Sequence, residues 1–126
     1  MDLVSVIIPY YKKKKYITET IDSVLEQSYK NFEIIIIYDD ESFEDLNFLE
    51  QIKVKDERIL IIKNQKNLGA GISRNIGISK SKGKYLAFLD ADDVWKPNKL
   101  DNQITFMRSK DYAATHTSYL IIDEFK

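Results

Sequence analysis

Four short apolar runs, each parted from the next by a helical pattern, constrain this chain more than any other feature. They are Val4–Ile8, Phe32–Tyr38, Arg58–Ile62 and Lys84–Leu89. Rich in β-branched residues and almost unbroken in apolarity, they read as strands of a parallel sheet covered on both faces. After the first run, Tyr16, Ile17, Thr20, Ile21, Val24 and Leu25 recur at helical spacing. Leu46, Leu49 and Ile52 form a weaker stripe after the second, and Ile72, Ile76 and Ile78 a short one after the third. A fourth helix is expected to begin near Pro97, a favourable first-turn residue, and to continue through Leu100, Ile104 and Met107. A fifth strand is expected within Tyr112–Ile122. This β-α alternation predicts an α/β fold, a doubly wound and mostly parallel sheet with helices on both faces.

The chain's 126 residues suit one domain, 1–126, with a single core. A formal net charge of −1 removes the broad electrostatic case for nucleic-acid binding. Cysteine is absent, which excludes a disulfide framework, a thiolate metal site and a cysteine nucleophile. The lone histidine, His116, has no partner motif and reads as structural. The longest apolar run, Ile34–Ile37, is far too short to span a bilayer. The start, "MDLVSVIIPYY", lacks the basic region and cleavage site of a signal peptide. A cytoplasmic location is therefore expected, and a peripheral place at the inner face of the membrane is compatible with it. Self-association stays open.

Ligands of open α/β sheets bind beyond the carboxyl ends of the strands. Three strand ends here deliver polar or aromatic groups to that rim: Pro9-Tyr10-Tyr11, Asp39-Asp40, and the acids of "DADD", Asp90, Asp92 and Asp93. An Asp-x-Asp pair suits Mg²⁺ or Mn²⁺, hard cations that accept one or two carboxylates and complete their shell with phosphate and water. The plain alternative is an acidic turn. Tyr11 offers a π-face to a nucleobase and a nearby aspartate can accept the base N–H, although both tyrosines could equally cover a core edge. Gly69 and Gly71 precede a short helix whose first amides could bind an anion beside the Arg74 fork. A dinucleotide fingerprint is not supported, because Arg74 fills the third glycine position and the glycines follow the third strand rather than the first. Lys12–Lys15 reads as a solvated loop or helix start.

The segments "VSVIIPYY", "YITETIDSVLEQSYKNFEIIIIYDDES", "NLGAGISRNIGISKSKGKYLAFLDADD" and "WKPNKL" occur in an order and spacing that resembles the N-terminal half of GT-A (Rossmann-like) glycosyltransferases of family 2. The resemblance spans essentially the whole chain. It implies a metal-dependent enzyme that binds a nucleotide sugar, a UDP-sugar in particular, for inverting transfer to a saccharide or lipid-linked acceptor in polysaccharide or glycolipid synthesis. Carried over by position, Pro9 and Tyr11 would border the base, with Tyr11 stacked on uracil. Asp40, or alternatively Asp39, would accept the base N–H. Arg74 would meet the base or a phosphate, and Asp90 the ribose or sugar. Asp92 would bind Mn²⁺ or Mg²⁺ on the diphosphate.

Two positions depart from the family pattern. Lys12 stands where asparagine is common, and Glu41 where glycine is common and would ease a positive φ. Family members are also longer, so the chain is expected to be a truncated form whose general base and acceptor site belong to a missing C-terminal half. Other readings are a non-catalytic nucleotide-binding or assembly module and a phosphoacceptor signalling domain.

Overall fold

The computed structural model describes residues 1–110, so His116 and the strand expected within Tyr112–Ile122 lie outside the described residues. The elements are β1 (Val4–Tyr10), α1 (Lys14–Leu25), β2 (Phe32–Tyr38), α2 (Phe43–Lys53), β3 (Ile59–Lys63), α3 (Ala70–Lys80), β4 (Tyr85–Phe88) and α4 (Lys99–Lys110). Each of the four apolar runs forms a strand, β2 with the same bounds and the others with ends displaced by at most two residues. Helix α1 starts ahead of its apolar stripe because the Tyr16 and Ile17 amides both reach the Lys13 carbonyl. Helix α2 is capped by Ser42, whose hydroxyl accepts from the Asp45 amide at 3.1 Å, and acids fill its first turn.

The sheet order is β3-β2-β1-β4 and every pairing is parallel. The chain steps outward from β1 to β3, then returns across the sheet to lay β4 on the other side of β1. That reversal puts a crevice between the carboxyl ends of β1 and β4, where such folds take their ligands. Helices α1, α2 and α4 share the larger core through Ile17, Ile21, Leu49, Leu100 and Ile104 packed on Val6, Ile8, Ile34 and Ile36. On the opposite face, α3 sets Ile76 against Ile7, Ile35 and Ile37.

The expectation of strands buried on both faces holds for β1 and β2 and needs correction for β3 and β4. One row of paired residues crosses the sheet as Leu60, Ile35, Ile7 and Phe88. Its inner members are fully buried, whereas Leu60 is 42% and Phe88 48% exposed. A helix about 10 Å across covers roughly two strands spaced about 4.8 Å apart, so α3 alone shields only the centre. Gly77 brings α3 close to that centre: a Cβ there would lie 2.5 Å from Ile7 Cγ2.

Candidate functional site

An open cleft of about 300 Å³ lies at the carboxyl edge of the sheet. Pro9, Tyr11, Asp39, Asp90 and Asp92 all line it, so five of the residues singled out from the sequence converge on one place. Asp40 and Arg74 are not on its wall. Lys13 is, although the lysine run reads as solvated from sequence alone.

The two tyrosines ending β1 have separate tasks. Tyr10 is buried, stacks on Tyr38 with ring centroids 5.4 Å apart, and donates its hydroxyl to Asp45 Oδ2 at 2.6 Å. Burial and the Asp45 carboxylate push its phenol well above the ordinary range. Tyr11, one residue on, is 45% exposed and presents its ring to the cleft. The Lys12 ammonium lies 5.2 Å from that ring. Lys12 itself carries a φ of 53°, and among the described residues no other side-chain-bearing position has a positive φ. The left-handed kink therefore falls on Lys12, where asparagine was expected, and not on Glu41, where glycine was. Glu41 needs no such backbone because Asp40 Oδ1 accepts the Glu41 and Ser42 amides at 2.7 and 3.2 Å, closing the turn with a side chain.

Asp40 Oδ2 meanwhile accepts the Lys12 amide at 2.9 Å, tying the loop after β1 to the loop after β2. Asp39 points the other way and is buried at 2% exposure. Its Oδ1 accepts from Asn64 Nδ2 at 2.9 Å and the Leu68 amide at 2.7 Å, and its Oδ2 from the Gly69 amide at 2.8 Å. Gly69, with φ 91°, is the residue that turns the chain into α3. The anion at this helix start is thus internal, a carboxylate favoured by amides and helix dipole together.

The acidic turn after β4 is held from below by α1. Ala91 is buried and its carbonyl accepts the Thr20 hydroxyl at 2.9 Å. Ser23 Oγ accepts the Trp95 amide at 3.1 Å, while Gln27 donates to the Lys96 carbonyl at 2.6 Å and accepts the Leu100 amide at 3.0 Å. Thr20, Ser23 and Gln27 are buried polar residues, the first two on α1 and Gln27 just past its end. Reasoning from apolar periodicity found Thr20 and missed the other two; their spacing of three and seven residues from Thr20 was the available signal.

With Ala91 drawn inward, Asp90 and Asp92 face the cleft. Arg74 meets Asp90 at 3.3 Å, and Lys13 Nζ meets Asp92 Oδ2 at 3.3 Å. Asp93 closes the turn by donating its amide to the Asp90 carbonyl at 3.0 Å. Burial, aided by the charges of Asp90 and Asp92, pushes the Asp93 carboxyl above its ordinary value. Among the described residues no three acidic, histidine or cysteine side chains gather to hold a metal ion. Asp92 nonetheless suits one as a lone protein ligand: a hard oxygen donor on the cleft wall, already facing the ammonium of Lys13 as a stand-in cation.

The chain is 42% identical over 125 residues to the Escherichia coli protein WfaP, named a UDP-Glc:alpha-D-GlcNAc-diphosphoundecaprenol beta-1,3-glucosyltransferase, and covers 99% of this chain and 49% of WfaP. The crystal structure of S. aureus TarS 1–349 in complex with UDP-GlcNAc superposes with a TM-score of 0.77 and 28% identity, over 86% of this chain and 32% of that one. A mannosyltransferase of Pyrobaculum calidifontis in complex with GDP-Man and Mn²⁺ shares the fold, with a TM-score of 0.77 at 19% identity over 82% of this chain and 32% of that one. The chain spans only 17% to 49% of the length of the curated relatives it matches. Residues 5–125 match the model of glycosyl transferase family 2, and with a GT-A fold beneath that match, the chain belongs to glycosyltransferase family 2.

Proposed function

We propose that residues 1–126 are the donor-binding domain of a glycosyltransferase that takes a UDP-sugar with a divalent cation. The observation that carries this is the convergence of Tyr11, Asp39, Asp90 and Asp92 from three strand ends on one cleft. Tyr11 stacks on the uracil beside Pro9. The base N–H goes to Asp39 in preference to Asp40. Each carboxylate already accepts three hydrogen bonds of roughly four it can take, but only Asp39 is on the cleft wall. Asp40 then holds the Tyr11 loop in place. Asp90 receives the ribose or sugar hydroxyls, with Arg74 at its side to meet a phosphate.

Asp92 would hold Mn²⁺ or Mg²⁺, and such a cation would supply positive charge to offset the negative charge of a departing diphosphate. Transfer is by inverting displacement: an acceptor hydroxyl attacks the anomeric carbon opposite the diphosphate, the bond to UDP breaks, and a base takes the hydroxyl proton. No residue of this chain is assigned as that base. The acceptor is a saccharide or a lipid-linked one, as in WfaP's name, and no residue of this chain is assigned to it. Among the described residues no helix is long and apolar enough to cross a membrane. A cytoplasmic protein working at the inner membrane face fits that acceptor.

Calorimetric titration of UDP with and without Mn²⁺ tests the assignment. Binding that needs the metal and is lost in Asp92→Ala is the expected result. Metal-independent binding, or none, overturns it.

A further inference from the structure

Lys13 is the one basic residue on the cleft wall, and its ammonium lies 3.3 Å from Asp92 Oδ2. Its side chain and that of Asp92 are each 40% exposed, so the pair is not locked by packing and can open. Lys13 also lies immediately before α1, and its carbonyl accepts the first amides of that helix. The backbone is therefore fixed while the side chain is free to swing. Asp90, the neighbouring acid, has its own partner in Arg74. Asp90 and Asp92 thus each face a cationic side chain of this chain.

We infer that Lys13 is a built-in competitor for the divalent cation, holding Asp92 until the nucleotide arrives. The inference rests on the reading of Asp92 as the metal ligand. A cation alone must displace the ammonium and then sit close to it, at a Coulombic cost. A cation that arrives with a diphosphate brings negative charge that takes up the released ammonium. Lys13 thereby makes metal loading depend on the donor, and keeps the site from filling with metal when no donor is present.

The test is Mn²⁺ binding to the full chain without nucleotide, read from the electron paramagnetic resonance signal of free Mn²⁺. Lys13→Ala and Lys13→Gln are expected to bind Mn²⁺ about thirtyfold more tightly than the parent, the effect of removing one unit charge about 4 Å from a doubly charged ion in water. Lys13→Arg is expected to match the parent, and adding Lys13→Ala to Asp92→Ala is expected to change nothing. Unchanged Mn²⁺ affinity in Lys13→Ala, with binding lost in Asp92→Ala, overturns the role of Lys13 and leaves the metal assignment standing. Parent-like Mn²⁺ binding in Asp92→Ala overturns both.

Discussion

At the scale of single residues, neighbouring positions of like chemistry turn out to do different work. Asp39 and Asp40, and Lys12 and Lys13, each divide into a member on the cleft wall and a member off it, while Tyr10 and Tyr11 both line the cleft and only Tyr10 is buried. A strand alternates its side chains, and a turn redirects them, so adjacency in sequence says little about shared surroundings. Lys12 gives the sharpest residue-level prediction. Its φ of 53° lies in the left-handed region, which costs a residue with a Cβ about 1–2 kcal/mol and costs asparagine less. Lys12→Asn keeps the amide that Asp40 accepts and is expected to raise stability by up to about 1 kcal/mol in urea unfolding. The departure from the family's asparagine was legible in the sequence; that it carries the strained φ, and Glu41 does not, required the backbone.

Elements meet through a few close approaches, and two of these can be probed directly. Gly77 lets α3 press onto β1, and a methyl group there would collide with Ile7. Gly77→Ala is expected to destabilise by about 1–3 kcal/mol through overpacking. Gly71→Ala, in the same helix but facing open space, is expected to be neutral or stabilising by up to about 1 kcal/mol, both variants being read by thermal unfolding. The ends of β1 and β2 supply a pH signature. Burial, reinforced by Asp40 and Asp45, raises the Tyr38 phenol from 10.0 to about 12. A folded-state value above the unfolded one means that the stabilisation is complete below about pH 10 and fades as pH climbs towards 12. Tyr38→Phe is expected to flatten the fall in stability across that window, as read from denaturant midpoints at stepped pH. It also loses the hydroxyl bond to the Ser42 carbonyl, about 1 kcal/mol at neutral pH. Strand and helix identities were readable from apolar period, but what the polar set of Thr20, Ser23 and Gln27 holds was not. Its partners lie about 70 residues away, from Ala91 to Leu100.

For the whole molecule, the two sheet faces are unequally served. Three helices cover one, while α3 shields only the middle of the other, leaving Leu60 on one flank and Leu86 and Phe88 on the other partly bare. Apolar side chains in that setting favour association. Sedimentation velocity over a range of concentrations is expected to show the apparent mass rising for the parent chain. The Leu60→Lys, Leu86→Lys double variant is expected to stay nearer the monomer. Sequence by itself determined the order of the described elements, the placing of acids and aromatics at strand ends, and through them the family. Those features are local: apolar periodicity and turn residues report on the few positions around them. Tertiary structure alone decided that β4 lies beside β1, that Asp39 rather than Asp40 reaches the cleft, and that Lys13 stands opposite Asp92. Each depends on which distant segments the sheet order and helix packing bring within a few ångströms. Coulombic and hydrogen-bonding partners are set by that distance in space, which a linear pattern does not encode.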